Sequence, residues 1–271
     1  MTPLKLWWWR WRHPVETNFG DEISAVLLER ITGRPVRWSR PEDADLIAAG
    51  STLGIIQRDL PRLPEFWGTG FIRPHRDTIP PSVRPRAVRG RLTAQHFPPD
   101  LQEKMALGDP GVLANVLLDA PVRKKYTIGV IPHYKDIRHP AVTGLVNLGE
   151  DVRLIPVSWT PEEVVREVAA CEVVLSSSLH GMIVADALGV PNAHLRLNES
   201  VGGVVKGRVH GLFKYRDYYS AYEIPRRYEP RYARDIFGVP RAELVSMVDE
   251  TWDPPHGIDA LREGLVASLP Y

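Results

Sequence analysis

The chain has 271 residues, 44% of them hydrophobic and 25% charged, a composition that makes a globular body long enough for two cores of roughly 120 to 150 residues each. Lysine and arginine number 34 against 33 aspartate and glutamate, a formal net charge of +1. That balance argues against a nucleic-acid binder relying on a basic surface, so any anion site must be local. The single cysteine, Cys171, cannot form an internal disulfide and fits a reducing compartment. No apolar run approaches the roughly 20 residues that cross a bilayer, and no signal-peptide pattern is present, so a soluble cytoplasmic protein is expected.

In chain order, the stretch Leu4-Lys5-Leu6-Trp7-Trp8-Trp9-Arg10-Trp11-Arg12 mixes tryptophan with arginine. That mixture is also a membrane-interface signature, but the stretch is too short and lacks the charge separation of an in-plane helix, and it reads as an aromatic first strand. Asn18-Phe19-Gly20-Asp21 then opens a helix with Ile23, Val26, Leu27 and Ile31 on its apolar face, closed by Gly33. Asp45 to Ser51, Phe66 to Phe71, Arg86 to Gly90 and Met105 to Gly111 each read as a short buried strand ending in glycine and a polar residue, on one rim of a parallel sheet. The Pro-rich stretches 79–85 and 97–100 read as loops.

Asp119 to Lys125 is the expected domain boundary, giving Rossmann-like lobes over residues 1–120 and 121–271. Tyr126 to Tyr134 opens a fresh α/β unit, and Asp151 to Val157 is its next strand. Thr160-Pro161-Glu162-Glu163 supplies cap, first-turn proline and capping-box glutamate for the following helix. Cys171 to Ser176 is a buried strand that runs into Ser177-Ser178-Leu179-His180-Gly181, where a helix begins. Asn192 to Leu197 is the last strand of the lobe. Residues 198–211 are glycine-rich, and Phe213-Lys214-Tyr215-Arg216-Asp217-Tyr218-Tyr219 reads as an active-site loop. A last helix through Leu261, Leu265 and Leu269 can pack back on the first lobe. The fold class is α/β, with two Rossmann-like lobes and a cleft between them.

Several templates are missing. There is no G-x-x-x-x-G-K-[ST] loop, no strand followed by G-x-G-x-x-G, no G-x-S-x-G elbow and no H-E-x-x-H. What remains is a set of strand-end residues suited to an anionic small molecule. A helix start offers free N–H groups to an anion, and His180 there can carry a proton; the Ser run is equally an ordinary N-cap. Arg86 and Arg89 can fork onto carboxylate or phosphate, or simply be solvated at a strand end. Asp109 can cap the next helix or face the cleft as a base. His133 sits at a strand end as His180 does, and an unperturbed imidazole titrating near about 6.5 lets either shuttle protons.

Eight blocks then occur in one order: Asn18-Phe19-Gly20-Asp21, Gly50-Ser51, Trp67-Gly68-Thr69-Gly70, Arg86-Ala87-Val88-Arg89-Gly90, Gly108-Asp109-Pro110-Gly111, Ile131-Pro132-His133-Tyr134, Ser176 to Gly181, and Phe213 to Tyr219. In this register over residues 18 to 219 the chain resembles the polysaccharide pyruvyl transferases, xanthan-type exopolysaccharide ketal-pyruvate transferases among them. The resemblance implies a two-lobed fold similar to GT-B glycosyltransferases, acting without metal or resident cofactor. It implies phosphoenolpyruvate as donor and a sugar hydroxyl pair as acceptor, on a lipid-linked oligosaccharide or related glycan precursor, with peripheral contact at the inner face of the cell membrane.

The roles it implies are His180 as proton carrier, with Asp109 as second catalytic group, and Ser177, Ser178 and the Gly181 backbone near the donor. Arg89, then Arg86, would clamp donor charge. Asn18 and Asp21 would line the acceptor side, with His133 a further polar contact. Some relatives carry arginine where this chain has Ser178, which moves the cationic clamp to Arg86, Arg89, Lys214 or Arg216. Two other functions stay open: a GT-B glycosyltransferase using a nucleotide sugar, which would need a carboxylate near the start of the helix that carries Asp186 mid-length, and a non-catalytic glycan-binding or assembly protein.

Overall fold

The computed structural model describes residues 2–10, 16–54, 64–74, 79, 83, 85–197, 204–205, 208–209, 212–223 and 230–270; most of 79–85 and of 198–211 lies outside them. The first lobe runs β1 (Leu4–Trp7), α1 (Phe19–Thr32), β2 (Val36–Trp38), β3 (Leu46–Ile47), β4 (Glu65–Thr69), β5 (Pro85–Val88), α2 (Arg91–Ala94), α3 (Pro99–Gln102) and β6 (Ala106–Leu107), then a 3-10 helix at Pro110–Leu117. The second runs β7 (Tyr126–Ile131), α4 (Pro140–Val146), β8 (Val152–Leu154), α5 (Pro161–Ala169), β9 (Cys171–Ser176), α6 (Leu179–Ala187) and β10 (Asn192–Arg196). Then come β11 (Val204–Val205), β12 (Arg208–Val209), α7 (Phe213–Tyr219), β13 (Arg231–Tyr232), α8 (Ala233–Ile236), α9 (Arg241–Thr251) and α10 (Ile258–Ala267).

Local chemistry sets these elements. Asn18 caps α1 by accepting from the Gly20 N–H at 3.0 Å, Asp21 and Glu22 sit in the first turn where the helix end favours negative charge, and Gly33 closes the helix at φ 65°. Thr160 and Glu163 close the expected capping box on α5. β9 buries every residue but Glu172, as a central parallel strand covered on both faces must.

The six-stranded sheet has the order β2-β1-β3-β4-β5-β6 and the five-stranded sheet β13-β10-β9-β7-β8, all their pairings parallel. In each, strand order reverses beside the lobe's first strand, between β1 and β3 and between β7 and β9. Ligands of open α/β sheets sit outside the carboxyl ends of the strands at such a reversal. One apolar core spans the lobes, joining Leu4, Phe19 and Leu27 to Val164, Leu179 and Ile183. Two smaller cores cover the outer sheet faces, around Phe66 and Val88 and around Leu175 and Val248.

The segment Phe213 to Tyr219, expected as a loop, is instead helix α7. Tyr215, Tyr218, Tyr219 and Tyr222 recur at three- and four-residue spacing and are all buried, the pattern of an apolar helix face. Helix α10 lies against the first sheet: the Trp67 indole donates to the Leu265 carbonyl at 2.9 Å. Arg262 of α10 also donates to the Val112 carbonyl at 2.9 Å and the Ala187 carbonyl at 2.6 Å, touching the 3-10 helix of one lobe and the end of α6 in the other. Among the described residues no helix is long and apolar enough to cross a membrane.

Candidate active site

Both reversal points open into one cleft of about 690 Å³. Trp9 and Arg10 reach it from beyond β1, Gly50, Ser51 and Thr52 from beyond β3, His133 and Tyr134 from beyond β7, and Ser178, Leu179 and His180 from beyond β9. The first turn of α1 adds Asn18, Asp21 and Glu22, and Lys214 enters from α7. The lobes are joined at this edge by the Phe19 N–H donating to the Val157 carbonyl at 2.8 Å, and by the Thr17 hydroxyl donating to the Ser158 carbonyl at 2.8 Å. Two helix starts, α1 and α6, thus face one cavity; the first-turn N–H groups of α1 are taken by the Val157 carbonyl and by the side chain and carbonyl of Asn18, which leaves the start of α6 as the one that offers N–H groups to a ligand.

His180 and Asp109 meet across the lobes. The His180 Nε2 is 3.6 Å from Asp109 Oδ2, with the two side chains 12% and 0% exposed, and both atoms are buried without another hydrogen-bond partner. The other carboxylate oxygen, Oδ1, accepts from the Gly111 N–H at 2.9 Å, so Asp109 caps the 3-10 helix and faces His180 at once. The Nδ1 edge of the ring lies over Gly20, where a Cβ would come within 2.2 Å. An orphaned donor and acceptor facing each other in a buried place are costly unless they share a proton.

Ser178 is the N-cap of α6, yet its hydroxyl makes no capping bond and faces the cleft. Ser177 accepts the His133 N–H on its hydroxyl at 2.9 Å and the Tyr215 hydroxyl on its carbonyl at 3.0 Å; it braces the loop from behind. Gly181 lies beneath, where a Cβ would meet the Ser176 hydroxyl at 2.4 Å and Ile131 at 3.0 Å, so glycine lets α6 start close against the strand ends.

Titration differs sharply within the cleft. Burial first, then Lys214 and Lys135, push His133 down to about 3, so it is a neutral hydrogen-bonding group at neutral pH and not the proton shuttle that an unperturbed imidazole would be. Burial first, with Glu22 adding and His180 and Lys214 opposing, pushes Asp21 up to about 6. Burial and Arg89 bring Lys214 down to about 8 against the pull of Asp21 and Asp136.

The two arginines are not open clamps. Arg89 is wholly buried: Nε donates to Asp217 at 2.9 Å, one terminal nitrogen to the Ser51 hydroxyl at 2.7 Å and the other to the Phe71 carbonyl at 2.5 Å. Asp217 also takes the Thr93 N–H and hydroxyl, each at 2.7 Å. This knot pins α7, and with it Lys214, to the Ser51 loop. Arg86 is half-exposed and paired with Glu65 at 2.7 Å, away from the cleft lining. Arg216 is exposed on α7. Of the sequence-predicted residues, then, Asn18, Asp21, His133, Ser178, His180 and Lys214 line the cavity, Asp109 backs it, Ser177, Gly181 and Arg89 stand behind its wall, and Arg86 lies elsewhere. Trp9, Arg10, Thr52, Tyr134 and Ser158 line it without having been singled out; their signal was a position just beyond the carboxyl end of a strand.

Asp186 is buried mid-helix, accepting from Asn192 at 2.8 Å, Trp252 at 3.1 Å and Tyr218 at 3.1 Å. It ties α6 to β10, α7 and the segment after α9 and offers no carboxylate to a ligand.

Fold and site define a two-lobed α/β protein of the GT-B type, with its cleft between the carboxyl edges of two parallel sheets. Residues 107–198, the segment that carries Asp109, His133 and His180, match the model of the polysaccharide pyruvyl transferase family. The chain is 26% identical over 239 residues to the succinoglycan biosynthesis protein ExoV of Rhizobium meliloti (strain 1021), covering 84% of this chain and 67% of that protein. It is 25% identical over 190 residues to the uncharacterized protein L143 of Acanthamoeba polyphaga mimivirus, covering 68% of this chain and 65% of that one. The chain therefore spans about two thirds of the length of these relatives.

Proposed function

We propose that the protein transfers pyruvate from phosphoenolpyruvate to two hydroxyls of a sugar in an exopolysaccharide or related glycan precursor, forming a cyclic ketal and releasing phosphate. The observation that carries this reading is the His180–Asp109 pair placed at the start of α6, inside the segment that matches the family. With Asp109 accepting the Nε2 proton, Nδ1 is the nitrogen left to exchange a proton with a substrate. Protonation of the donor's methylene carbon by His180 turns it into a methyl group and leaves an oxocarbenium-like C2. One sugar hydroxyl adds to C2, the C2–O bond to phosphate breaks, and the second hydroxyl closes the ring. One acceptor proton replaces the one taken from the acid and the other leaves with phosphate or solvent.

The rest of the cleft supports those needs. Lys214, the N–H groups at the start of α6 and the Ser178 hydroxyl are suited to the donor's phosphate and carboxylate. Asn18, Asp21 and neutral His133 are suited to sugar hydroxyls. The reading takes phosphoenolpyruvate as substrate and needs no resident cofactor or metal, and it places the reaction in the cytoplasm, at the membrane's inner face when the acceptor is lipid-linked. A nucleotide-sugar donor is not favoured, because the carboxylate of α6 is committed to Asn192, Trp252 and Tyr218.

The test is to incubate the protein with phosphoenolpyruvate and a panel of synthetic and lipid-linked glycosides. Phosphate release should accompany a product whose mass equals acceptor plus pyruvate less water. His180→Ala should lower kcat by about 10²- to 10⁴-fold with the circular dichroism spectrum unchanged. Nucleotide release from a nucleotide sugar, or binding of a glycan with turnover under neither donor, would overturn the reading.

A further inference from the structure

The cleft grades from closed to open. At its floor the His180 side chain is nearly buried and Asp109 wholly so, whereas Trp9, Ile72, Tyr134 and Ile137, all lining the same cavity, are between 37% and 59% exposed. Large apolar side chains left at the surface singly need no explanation, but four around one opening do.

Two of them are built as flat walls. Trp9 lies two residues beyond β1 and Tyr134 three beyond β7, the corresponding first strands of the two lobes. The buried Trp7 meets the Trp9 ring edge-on, centroids 6.3 Å apart at 83°. His133 lies 4.3 Å from the Tyr134 ring. The Arg10 guanidinium is 4.5 Å from the Trp8 ring and 5.2 Å from that of Trp38, which fixes the backbone next to Trp9. Such rings give a rigid contact face at little cost in side-chain entropy.

We propose that Trp9 and Tyr134 form an aromatic subsite for a second sugar unit of an oligosaccharide acceptor, adjoining the unit that reacts over His180. This rests on the pyruvyl-transfer reading above. A pyranose presents C–H groups on its face and hydroxyls at its edge, and this mouth offers both complements: the two rings for the face, and for the edge Ser158 together with the hydrogen-bonding capacity that Thr17 and Ser51 keep beside their bonds to the Ser158 carbonyl and Arg89. The charges at the opening are of both signs and so favour a neutral polyol. Glu16 and Glu22 line the α1 wall and Arg10 the side beyond β1, with the Lys135 ammonium 5.7 Å from the Tyr134 ring, whereas a membrane anchor wants an apolar patch with basic flanks rather than a ring of polar groups around a cavity.

The test is calorimetric titration of the full chain, without donor, using methyl glucoside, methyl galactoside and the gluco- and galacto-oligosaccharides of two to four units. Affinity should rise at least tenfold from one unit to two; Trp9→Ala and Tyr134→Ala should each remove that increment and Trp9→Phe should keep it, all checked as folded by circular dichroism. If Trp9→Ala does not fold, Tyr134→Ala and Trp9→Phe still decide the outcome. Affinity independent of length, an increment that survives both alanine substitutions, or no binding by any sugar in the panel overturns the subsite. So does co-sedimentation with phosphatidylcholine–phosphatidylglycerol vesicles that is lost in Trp9→Ala while the length increment stays. Because donor is absent, failure of phosphate release in the separate turnover assay sinks pyruvyl transfer and leaves this result standing.

Discussion

Lys214 holds an ammonium group in a place with little water, between Arg89, which disfavours the charge, and Asp21 and Asp136, which favour it. Its proton is bound up to about 8 in the folded chain against 10.5 for a free lysine. Between those values the unfolded state holds more protons, so this group's contribution to stability rises with pH, while its ability to attract an anion falls as pH passes about 8. The KM for phosphoenolpyruvate should therefore climb above pH 8 in the wild type, and Lys214→Gln should show a high KM with that limb flattened. A wild-type profile flat through pH 9 would remove Lys214 from donor binding. The arginines separate just as cleanly. Arg89→Ala leaves Asp217 buried without its charge partner, a loss of about 3 to 5 kcal/mol, readable as a lower urea midpoint, and it should loosen Lys214 as well. Arg86→Ala breaks a surface pair and should change stability by less than about 1 kcal/mol.

At the level of elements, the sequence carried those whose signal is local. The Asn18 cap, the Thr160–Glu163 capping box and the strand-to-helix turn at Ser176 to Gly181 are set by neighbours in the chain, and the structure has them. Helix α7 was obscured because lysine, arginine and aspartate interrupt its tyrosines, and the aspartate turned out to be buried against Arg89 and Thr93, a tertiary pairing that no window of sequence contains. The same holds for Arg89, whose guanidinium suits a ligand carboxylate and an internal one equally. The meeting of α1 with α6 was illegible too, although Gly20 marks it. A Cβ there would sit 2.2 Å from His180 Nδ1, so Gly20→Ala must turn the ring away from Asp109. The overlap reaches the His180 Cβ at 2.9 Å, which ring rotation alone does not relieve, so the variant should lower the urea midpoint by pushing the two helix starts apart and lose tenfold or more in kcat. Wild-type turnover in Gly20→Ala would mean that His180 works from another orientation.

For the whole molecule, the His180–Asp109 pair is a contact between lobes, and its spacing depends on what fixes α6 against the 3-10 helix at Pro110–Leu117. Part of that is packing: at Gly111 a Cβ would meet Ile183 at 2.8 Å, so the two helices are as close as their backbones allow. The rest comes from the far end of the chain. Arg262 on α10 binds the Val112 carbonyl, one turn beyond Asp109, and the Ala187 carbonyl, the last residue of the helix that begins beside His180. A cation there also suits the negative end of α6. Removing it takes a charged hydrogen-bond donor from each of the two carbonyls, at about 1.5 to 3 kcal/mol each. Arg262→Ala should thus lower the urea midpoint and, by relaxing the pair, reduce kcat about tenfold with the KM for phosphoenolpyruvate little changed, since no cleft-lining group is altered. Arg262→Lys, which reaches one carbonyl but cannot fork onto both, should fall between. A lowered midpoint with unchanged kcat would make α10 a brace for the first sheet alone, and the lobes' alignment would then rest on the Phe19–Val157 and Thr17–Ser158 bonds at the cleft edge.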